Sequence, residues 1–534
     1  MEPKRDSEEK LNSQEKENIN ELKDKCARLE QEKEELSARL NWYEEQFRLS
    51  KQKQFGSSSE KTDNKRRLFD EAEVEADPKA EEPTVEEITY RRRKRKTKKD
   101  RIPENLPVET VEYELSEEEL DCPQCSNKLH KMSKETRKEI EVIPAQVKVK
   151  EHVRNIYSCR SCEKNEISTP VVTAPMPVPV LPGSMVSPSL MSFIMARKYS
   201  EALPLYRQEQ LFKDFGIDIS RQTMANWMIR GSKDWLSHLW ARMHREILKK
   251  DILHADETTL QVLHEEGKTA ANKSYMWLYA TGHTDIPIFL YDYRTTRARK
   301  HPKNMLAGFE GYLHADGYSG YGDIPGVKVV GCWAHARRRF KEALQAMPEE
   351  ASKSSTVAQE GLDYCNRLFA IEKDLADLPP GERHKLRLEK SQPVLEAFLA
   401  WLKEKKNQTL PKSALGMAIG YCLNQWDKLK NFMLDGRLEI SNNRGERAIK
   451  PFVIGRKNWL FSNTPKGATA SAIIFSVIET AKANGLSPFH YLTFLFEKLP
   501  NIDLEDPVQL DQLLPWSDSL PDRCKRPAKN QGGE

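Results

Sequence analysis

DILHADETTLQVL (residues 251–263), SYMWLYATG (274–282) and IPIFLYDY (286–293) read as three successive strands. Each is rich in β-branched and aromatic residues, and a turn around Glu266 and Gly267 joins the first two. After a helical stretch, GYLHADGYSGY (311–321) and VKVVGCWAHARRRF (327–340) each supply a short strand that runs into a turn or helix. The core therefore reads as three strands, a helix and two more strands.

That order is the one of a ribonuclease H-like α/β core, expected here over 246–485 with a helical insertion at 341–436. Asp256 and Asp316 both end an apolar strand, and both follow the same Leu-His-Ala triplet. A carboxylate at such a place is costly unless it is hydrogen-bonded, paired or metal-bound. One alone reads as a turn cap; two on strands that the topology sets side by side favour a shared divalent metal. Phosphodiester attack needs one oxygen deprotonated and another stabilised as it leaves, and two cations about 3.5–4 Å apart do both. Oxygen-only ligands suit Mg²⁺ or Mn²⁺.

A third carboxylate is needed, and Glu446 in LEISNNRGERAIKPFVIGRKNWLFSN (438–463) is the candidate. Asn442 or Asn443 can start a helix with Glu446 in its first turns and Lys450 one turn on. Arg447, Lys450, Arg456 and Lys457 surround it with charge suited to a DNA backbone. Its bland alternative is a salt-bridged surface Glu, and Pro451 is expected to shorten or kink the helix. Glu479 in ASAIIFSVIETAKANG (470–485) is the rival, with Lys482 as an ordinary partner. Glu257 is expected to point to the opposite face of its strand.

Upstream, residues 189–245 read as a helical DNA-binding region. In EALPLYRQEQLFKDFGIDISRQTMANWMIRG (201–231) one helix ends near Phe215 and Gly216, Ser220 can N-cap the next, and Arg221, Gln222 and Asn226 would project from it. Small helical domains that bind nothing share this outline. Prolines at 170, 175, 177, 179, 182 and 188 mark residues 169–188 as a stiff linker. Before it, at 107–168, Cys122, Cys125, Cys159 and Cys162 form two CxxC knuckles around a β-rich spacer. Four thiolates at that spacing fit a structural Zn²⁺ in a zinc ribbon, with no open coordination position.

Residues 7–50 carry a heptad of Ile19, Leu22, Cys26, Leu29, Leu36, Leu40, Tyr43 and Phe47, broken by Lys33. So narrow a seam asks for a partner strand, hence a self-associating coiled coil; a helix packed on the body is the alternative. Residues 51–106 are a polar linker, with nine Lys or Arg against one Asp between Arg91 and Arg101. Such a run is a solvated tail or a phosphate contact. Residues 486–534 read as a C-terminal tail.

The whole chain has 534 residues, which suggests roughly two to four folded units. Its 85 basic and 81 acidic residues leave a net charge of +4, so the distribution of charge matters more than the sum. No apolar run could span a bilayer, and the Met1 end opens with charged residues rather than a signal-peptide h-region. Nine cysteines, four of them in CxxC pairs, fit a reducing, cytoplasmic setting.

FGSSSEK (55–61), the CxxC pairs, HADET (254–258), HADGYSGY (314–321), GCWAHARRRF (331–340) and SNNRGERAIKPFVIGRKNWLFSNTPKGA (441–468) together closely resemble bacterial transposases of the insertion-sequence-66 type. The resemblance implies a multidomain α+β DDE transposase that cuts element ends and joins them to target DNA. Its triad would be Asp256, Asp316 and Glu446, with His335 an auxiliary residue contacting phosphate or protein. It implies terminal inverted repeats and target DNA as partners, a homodimer or higher oligomer, accessory proteins of the element, and a bacterial, nucleoid-associated location. Ser441 stands where such relatives usually have Asp; either residue can cap a helix. An inactive DNA-binding regulator and a metal-dependent nuclease of the same fold are the alternatives.

Overall fold

The computed structural model describes residues 25, 28, 29, 33, 147–158, 171–269, 271–347 and 356–527. Lys25, Arg28, Leu29 and Lys33 are helical; the rest of the heptad seam, the linker at 51–106 and the four CxxC cysteines lie outside the described residues. Two short strands, β1 (Ile156–Ser158) and β2 (Val171–Thr173), pair antiparallel.

The centre is a five-stranded sheet of β3 (Ile252–Gln261), β4 (Lys273–Thr281), β5 (Phe289–Arg294), β6 (Gly311–Ala315) and β7 (Val327–Gly331), in the order β5-β4-β3-β6-β7. The first three are antiparallel neighbours, while β6 runs parallel to β3 and β7 parallel to β6. This is the element order expected from the sequence. Met276 to Ala280 are all fully buried, because both faces of the sheet are covered there and alternation disappears from β4.

Edge strand β5 is closed by a helix. Ser476 Oγ accepts the Tyr291 N–H at 2.7 Å and Thr480 Oγ1 accepts the Phe289 N–H at 3.0 Å. These hydroxyls satisfy edge amides that would otherwise invite another strand. They belong to Pro465–Ala483, a helix whose run of Ala, Ile, Phe and Val is buried against the sheet.

The helices before the sheet are α1 (Pro188–Tyr199), α2 (Leu205–Asp214), α3 (Arg221–Gly231) and, after a π turn, α4 (Ser237–Ile247). Ser220 caps α3 by accepting the Thr223 N–H at 3.1 Å, and Gly216 ends α2 at φ 75°. The expected separate region at 189–245 is corrected: Met191, Met224, Trp227, Leu239 and Met243 share one continuous core with β3, β4 and β5. The linker reading of 169–188 is corrected too. Val180 and Leu181 are buried, and the Trp235 indole N–H donates to the Val180 carbonyl at 2.8 Å. Prolines keep the segment extended while its apolar residues dock.

After the sheet begins come α5 (Lys300–Met305), between β5 and β6, and α6 (Trp333–Ala346) after β7. The insertion follows as α7 (Val357–Asp374), α8 (Pro380–Lys406) and α9 (Ala414–Leu429). It has its own aromatic core, in which Phe398, Trp401 and Phe432 meet Trp333 and Phe340 of α6. Arg387 is fully buried there, yet satisfied by Glu372 and by the carbonyls of Phe432, Asp435 and Leu438. The chain returns to the sheet where the Trp333 N–H donates to the Ile440 carbonyl at 3.1 Å. From there α10 (Asn443–Trp459), α11 (Pro465–Ala483), α12 (Pro488–Lys498) and α13 (Pro507–Asp511) complete the fold.

Residues 486–527 are no tail. Tyr491, Leu492 and Leu495 of α12 are fully buried in the main core, and the Tyr491 hydroxyl donates to the Leu513 carbonyl at 2.6 Å. Among the described residues no helix is long and apolar enough to cross a membrane.

Candidate active site

The parallel register of β3 and β6 sets His254 opposite His314. Asp256 and Asp316 each lie two residues further on, Asp256 in mid-strand of β3 and Asp316 just past the end of β6; the expectation that both end a strand is corrected for Asp256. The repeated triplet explains the placement: Leu253, Ala255, Leu313 and Ala315 are buried in the sheet, and only the carboxylates reach a half-buried rim. Asp256 Oδ1 accepts the Glu257 N–H at 2.8 Å, and Asp316 Oδ1 accepts the Tyr318 N–H at 2.8 Å. The turn-capping role weighed against metal binding is thus real for Asp316, but it uses one oxygen only.

Burial, then repulsion from Glu257, Asp316 and Glu446, pushes the Asp256 carboxyl up to about 8, against the bond from the Glu257 N–H. Glu257, Asp316 and Glu446 are therefore each close enough to act on Asp256. Glu446 arrives from α10, whose first turn closes with the Glu446 N–H on the Asn442 carbonyl at 3.1 Å. Its Oε1 lies 3.8 Å from His335 Nδ1, and its Oε2 lies 3.8 Å from the Arg338 guanidinium. His335 Nδ1 and Glu446 Oε1 are both buried without a hydrogen-bond partner.

Asn442 starts α10 as expected, but its side chain makes no cap bond to the helix. Instead its Nδ2 donates to the Ala255 carbonyl at 2.8 Å, and its Oδ1 receives His254 Nδ1–H at 3.0 Å. Its own N–H points to Cys332 Sγ at 3.2 Å. One asparagine thus ties the helix of Glu446 to the strand of Asp256 and to the start of α6. The α10 helix runs on through Pro451 to Trp459, so the expected shortening does not occur.

Glu257 is not the remote residue that strand alternation suggested. Arg297 Nε donates to its Oε1 at 2.8 Å, the Tyr321 hydroxyl donates to its Oε2, and its charge acts on Asp256. Arg297 also lies 4.0 Å from Asp316 Oδ2, with its guanidinium 3.9 Å from the centre of the Tyr318 ring. Sequence reasoning missed Arg297 because it sits in an irregular loop among several other cations, with no periodicity to single it out.

The rival Glu479 is half-buried on α11 and paired with Lys482 at 2.8 Å, its bland option. Arg447, Lys450 and Lys457 are exposed on α10, whereas Arg456 turns back to the Thr258 and Thr259 hydroxyls at 3.3 and 3.4 Å. Arg221, Gln222 and Asn226 are exposed on α3, with Gln222 Nε2 donating to Asn226 Oδ1 at 3.1 Å.

Family comparisons cover most of the chain. The model for the transposase IS66 family matches residues 183–470, beginning before α1 and so treating the helices and sheet as one unit. A zinc-finger binding domain of transposase IS66 matches 119–163, a span that includes all four CxxC cysteines. A model described as transposase C of IS166 homeodomain matches 42–111, and the IS66 C-terminal element matches 476–516. Among curated relatives, the uncharacterized protein y4jD of Sinorhizobium fredii (strain NBRC 101917 / NGR234) is 30% identical over 432 residues, 78% of this chain and 81% of that one. The uncharacterized protein y4hP of the same organism is 28% identical over 492 residues, 86% of each chain.

Proposed function

Because this chain belongs to the IS66 family of transposases, we propose that Asp256, Asp316 and Glu446 are its catalytic carboxylates, cutting DNA at element ends and joining the ends to target DNA. The strand order β5-β4-β3-β6-β7 supports a ribonuclease H-like core. The observation that carries the reading is convergence: the carboxylates at the end of β6 and the start of α10 both act electrostatically on the Asp256 carboxyl of β3.

The donor set fits hard divalent cations. It consists of carboxylate oxygens, and the buried Oε1 of Glu446 has no hydrogen-bond partner to compete for it. Mg²⁺ or Mn²⁺ bound there would supply activation of the attacking oxygen and stabilisation of the leaving one. The protein's share is positioning. Asn442 and the buried imidazoles of His254 and His314 hold the two strands and α10 in register. His335 and Arg338, beside Glu446, offer hydrogen bonds and charge to a phosphate, and Arg447, Lys450 and Lys457 extend that surface along α10. Arg456 braces β3 from the same helix.

Element ends would be recognised by α3 through Arg221, Gln222 and Asn226, together with the zinc-finger domain, whose Zn²⁺ ligands are Cys122, Cys125, Cys159 and Cys162. Pairing of two subunits through the N-terminal heptads would hold two ends together. Such a protein works on DNA in the bacterial cytoplasm.

The deciding experiment is a strand-transfer assay with purified protein, Mg²⁺ and labelled element ends, run beside Asp316→Ala. Metal-dependent joining that the variant loses supports the reading. End binding without cutting in both proteins points to a regulator, and cutting without joining to a nuclease.

A further inference from the structure

Next to the three carboxylates lies a donor set of a different chemical kind. Cys332 Sγ, a ring nitrogen of His335 and a carboxylate oxygen of Glu446 all lie within 4.8 Å of one another. The fold brings them together because two helices start at one point. Cys332 immediately precedes α6, His335 is in the first turn of α6, and Glu446 is in the first turn of α10.

An unsatisfied pair of atoms points to a cation. His335 Nδ1 and Glu446 Oε1 face each other at 3.8 Å, both buried and both without a hydrogen-bond partner. Native structures rarely leave two such atoms unsatisfied side by side; a water or an ion satisfies them, and the nearby sulphur selects the ion. The sulphur, meanwhile, receives the Asn442 N–H at 3.2 Å, and burial pushes the thiol up to about 11, so a bound cation would displace its proton.

We propose that Cys332, His335 and Glu446 form a site for a borderline divalent cation of the Zn²⁺ class, and that filling it switches off the proposed catalytic centre by taking Glu446. Thiolate and imidazole ligands select Zn²⁺ or Co²⁺ over Mg²⁺. Three protein ligands leave a fourth, tetrahedral position for water, and the side chains of His335 and Glu446, 28% and 22% exposed, leave a path to solvent. Binding releases the thiol proton to solvent, so it tightens as pH rises. The site shares Glu446 with the proposed catalytic centre, but its cobalt readout does not depend on catalysis; its inhibitory role rests on the catalytic reading.

Co²⁺ is the probe, titrated in excess Mg²⁺ into the full chain whose CxxC cysteines have first been saturated with Zn²⁺. One additional equivalent with a thiolate-to-cobalt charge-transfer band is expected. Cys332→Ser should abolish that band, and His335→Ala should weaken Co²⁺ binding at least about tenfold. Zn²⁺ should then inhibit Mg²⁺-dependent cleavage in the unmodified chain at lower concentration than in either variant. Identical cobalt spectra in all three proteins overturn the site. A band lost in the variants, with equal Zn²⁺ inhibition in all three, overturns the inhibitory role. Failure of the catalytic reading shows separately, as absence of Mg²⁺-dependent cleavage before any Zn²⁺ is added.

Discussion

The imidazoles of His254 and His314 are stacked, with ring centroids 4.4 Å apart and planes 10° from parallel. Each lies two residues before an acidic residue of the candidate site, and each is essentially inaccessible to water. Burial pushes the His254 imidazole down to about 3, helped by Arg444 and Arg447 and opposed by the bond to Asn442. Burial, then His254 and Arg387, pushes His314 well below its ordinary value. The pair is a neutral spacer: two flat rings that fix the distance between β3 and β6 without placing charge behind the carboxylates.

A pH dependence follows from that neutrality. Both folded-state values lie below the unfolded value of about 6.5, so protons bind the unfolded chain first. The stability contributed by the pair is complete above about pH 6.5 and is lost as pH falls toward 3. Two such groups give a slope of up to about 2.7 kcal/mol per pH unit near pH 5. Urea unfolding from pH 7 to 5 should show it, and His314→Gln should roughly halve the slope. An unchanged slope in the variant would mean that the rings do not titrate as buried neutral groups.

Asn442 spends both ends of its amide on β3, accepting from His254 and donating to Ala255. Asn442→Ala leaves a buried N–H and a buried carbonyl unpaired, a loss of about 2–4 kcal/mol. Asn442→Asp keeps the acceptor for His254 but puts an oxygen against the Ala255 carbonyl. Both variants should raise the Mg²⁺ concentration needed for cleavage while leaving DNA-end binding intact. Normal Mg²⁺ dependence in Asn442→Ala would reduce this residue to a purely local role.

Much of this arrangement was legible in the sequence. The strands announced themselves by apolar and β-branched runs, and the twin Leu-His-Ala-Asp motifs placed two carboxylates on adjacent strands, although only Asp316 follows a strand end and Asp256 stands in mid-strand. What escaped was whatever depends on which surface packs on which. Tyr491 and Leu492 are ordinary apolar residues of a short helix, and nothing local says that they complete a core begun some 300 residues earlier at Met191. The helices at 189–245 look self-sufficient for the same reason. Glu257 was discounted because alternation concerns direction, whereas electrostatic coupling concerns distance, and a charge across the strand still acts on Asp256.

Metal should act on stability as well as on catalysis. The Asp256 carboxyl sits at about 8 in the fold, above an unfolded value near 4. Its contribution is therefore complete below about pH 4 and is lost as pH rises through 8, because ionisation sets it against Glu257, Asp316 and Glu446. In metal-free protein Asp256→Asn should be more stable than the unmodified chain at pH 8, on the order of 1–3 kcal/mol, with the difference vanishing near pH 4. Mg²⁺ should raise the Tm of the unmodified chain and leave that of the variant nearly unchanged. Equal Mg²⁺ responses in thermal scans would remove Asp256 from the metal-binding set.

Arg297 holds Glu257 and approaches Asp316 at 4.0 Å, so it is a resident cation beside the proposed metal ligands. Its position over the Tyr318 ring keeps the guanidinium there rather than in solvent. Two effects then oppose each other on removal. Arg297→Ala leaves Glu257 without its cation, which destabilises the metal-free fold. It also removes a positive charge that competes with Mg²⁺, which strengthens cation binding. The second effect should dominate metal affinity, because Glu257 keeps the Tyr321 hydroxyl as a partner while Asp316 loses a nearby positive charge. The expected result is a lower melting temperature without metal and a several-fold lower Mg²⁺ midpoint by calorimetry. Arg297→Lys should lie between the two, retaining charge without the paired guanidinium contact. A Mg²⁺ midpoint that rises in Arg297→Ala would instead make Arg297 a support that orders the carboxylates, with its charge a minor matter.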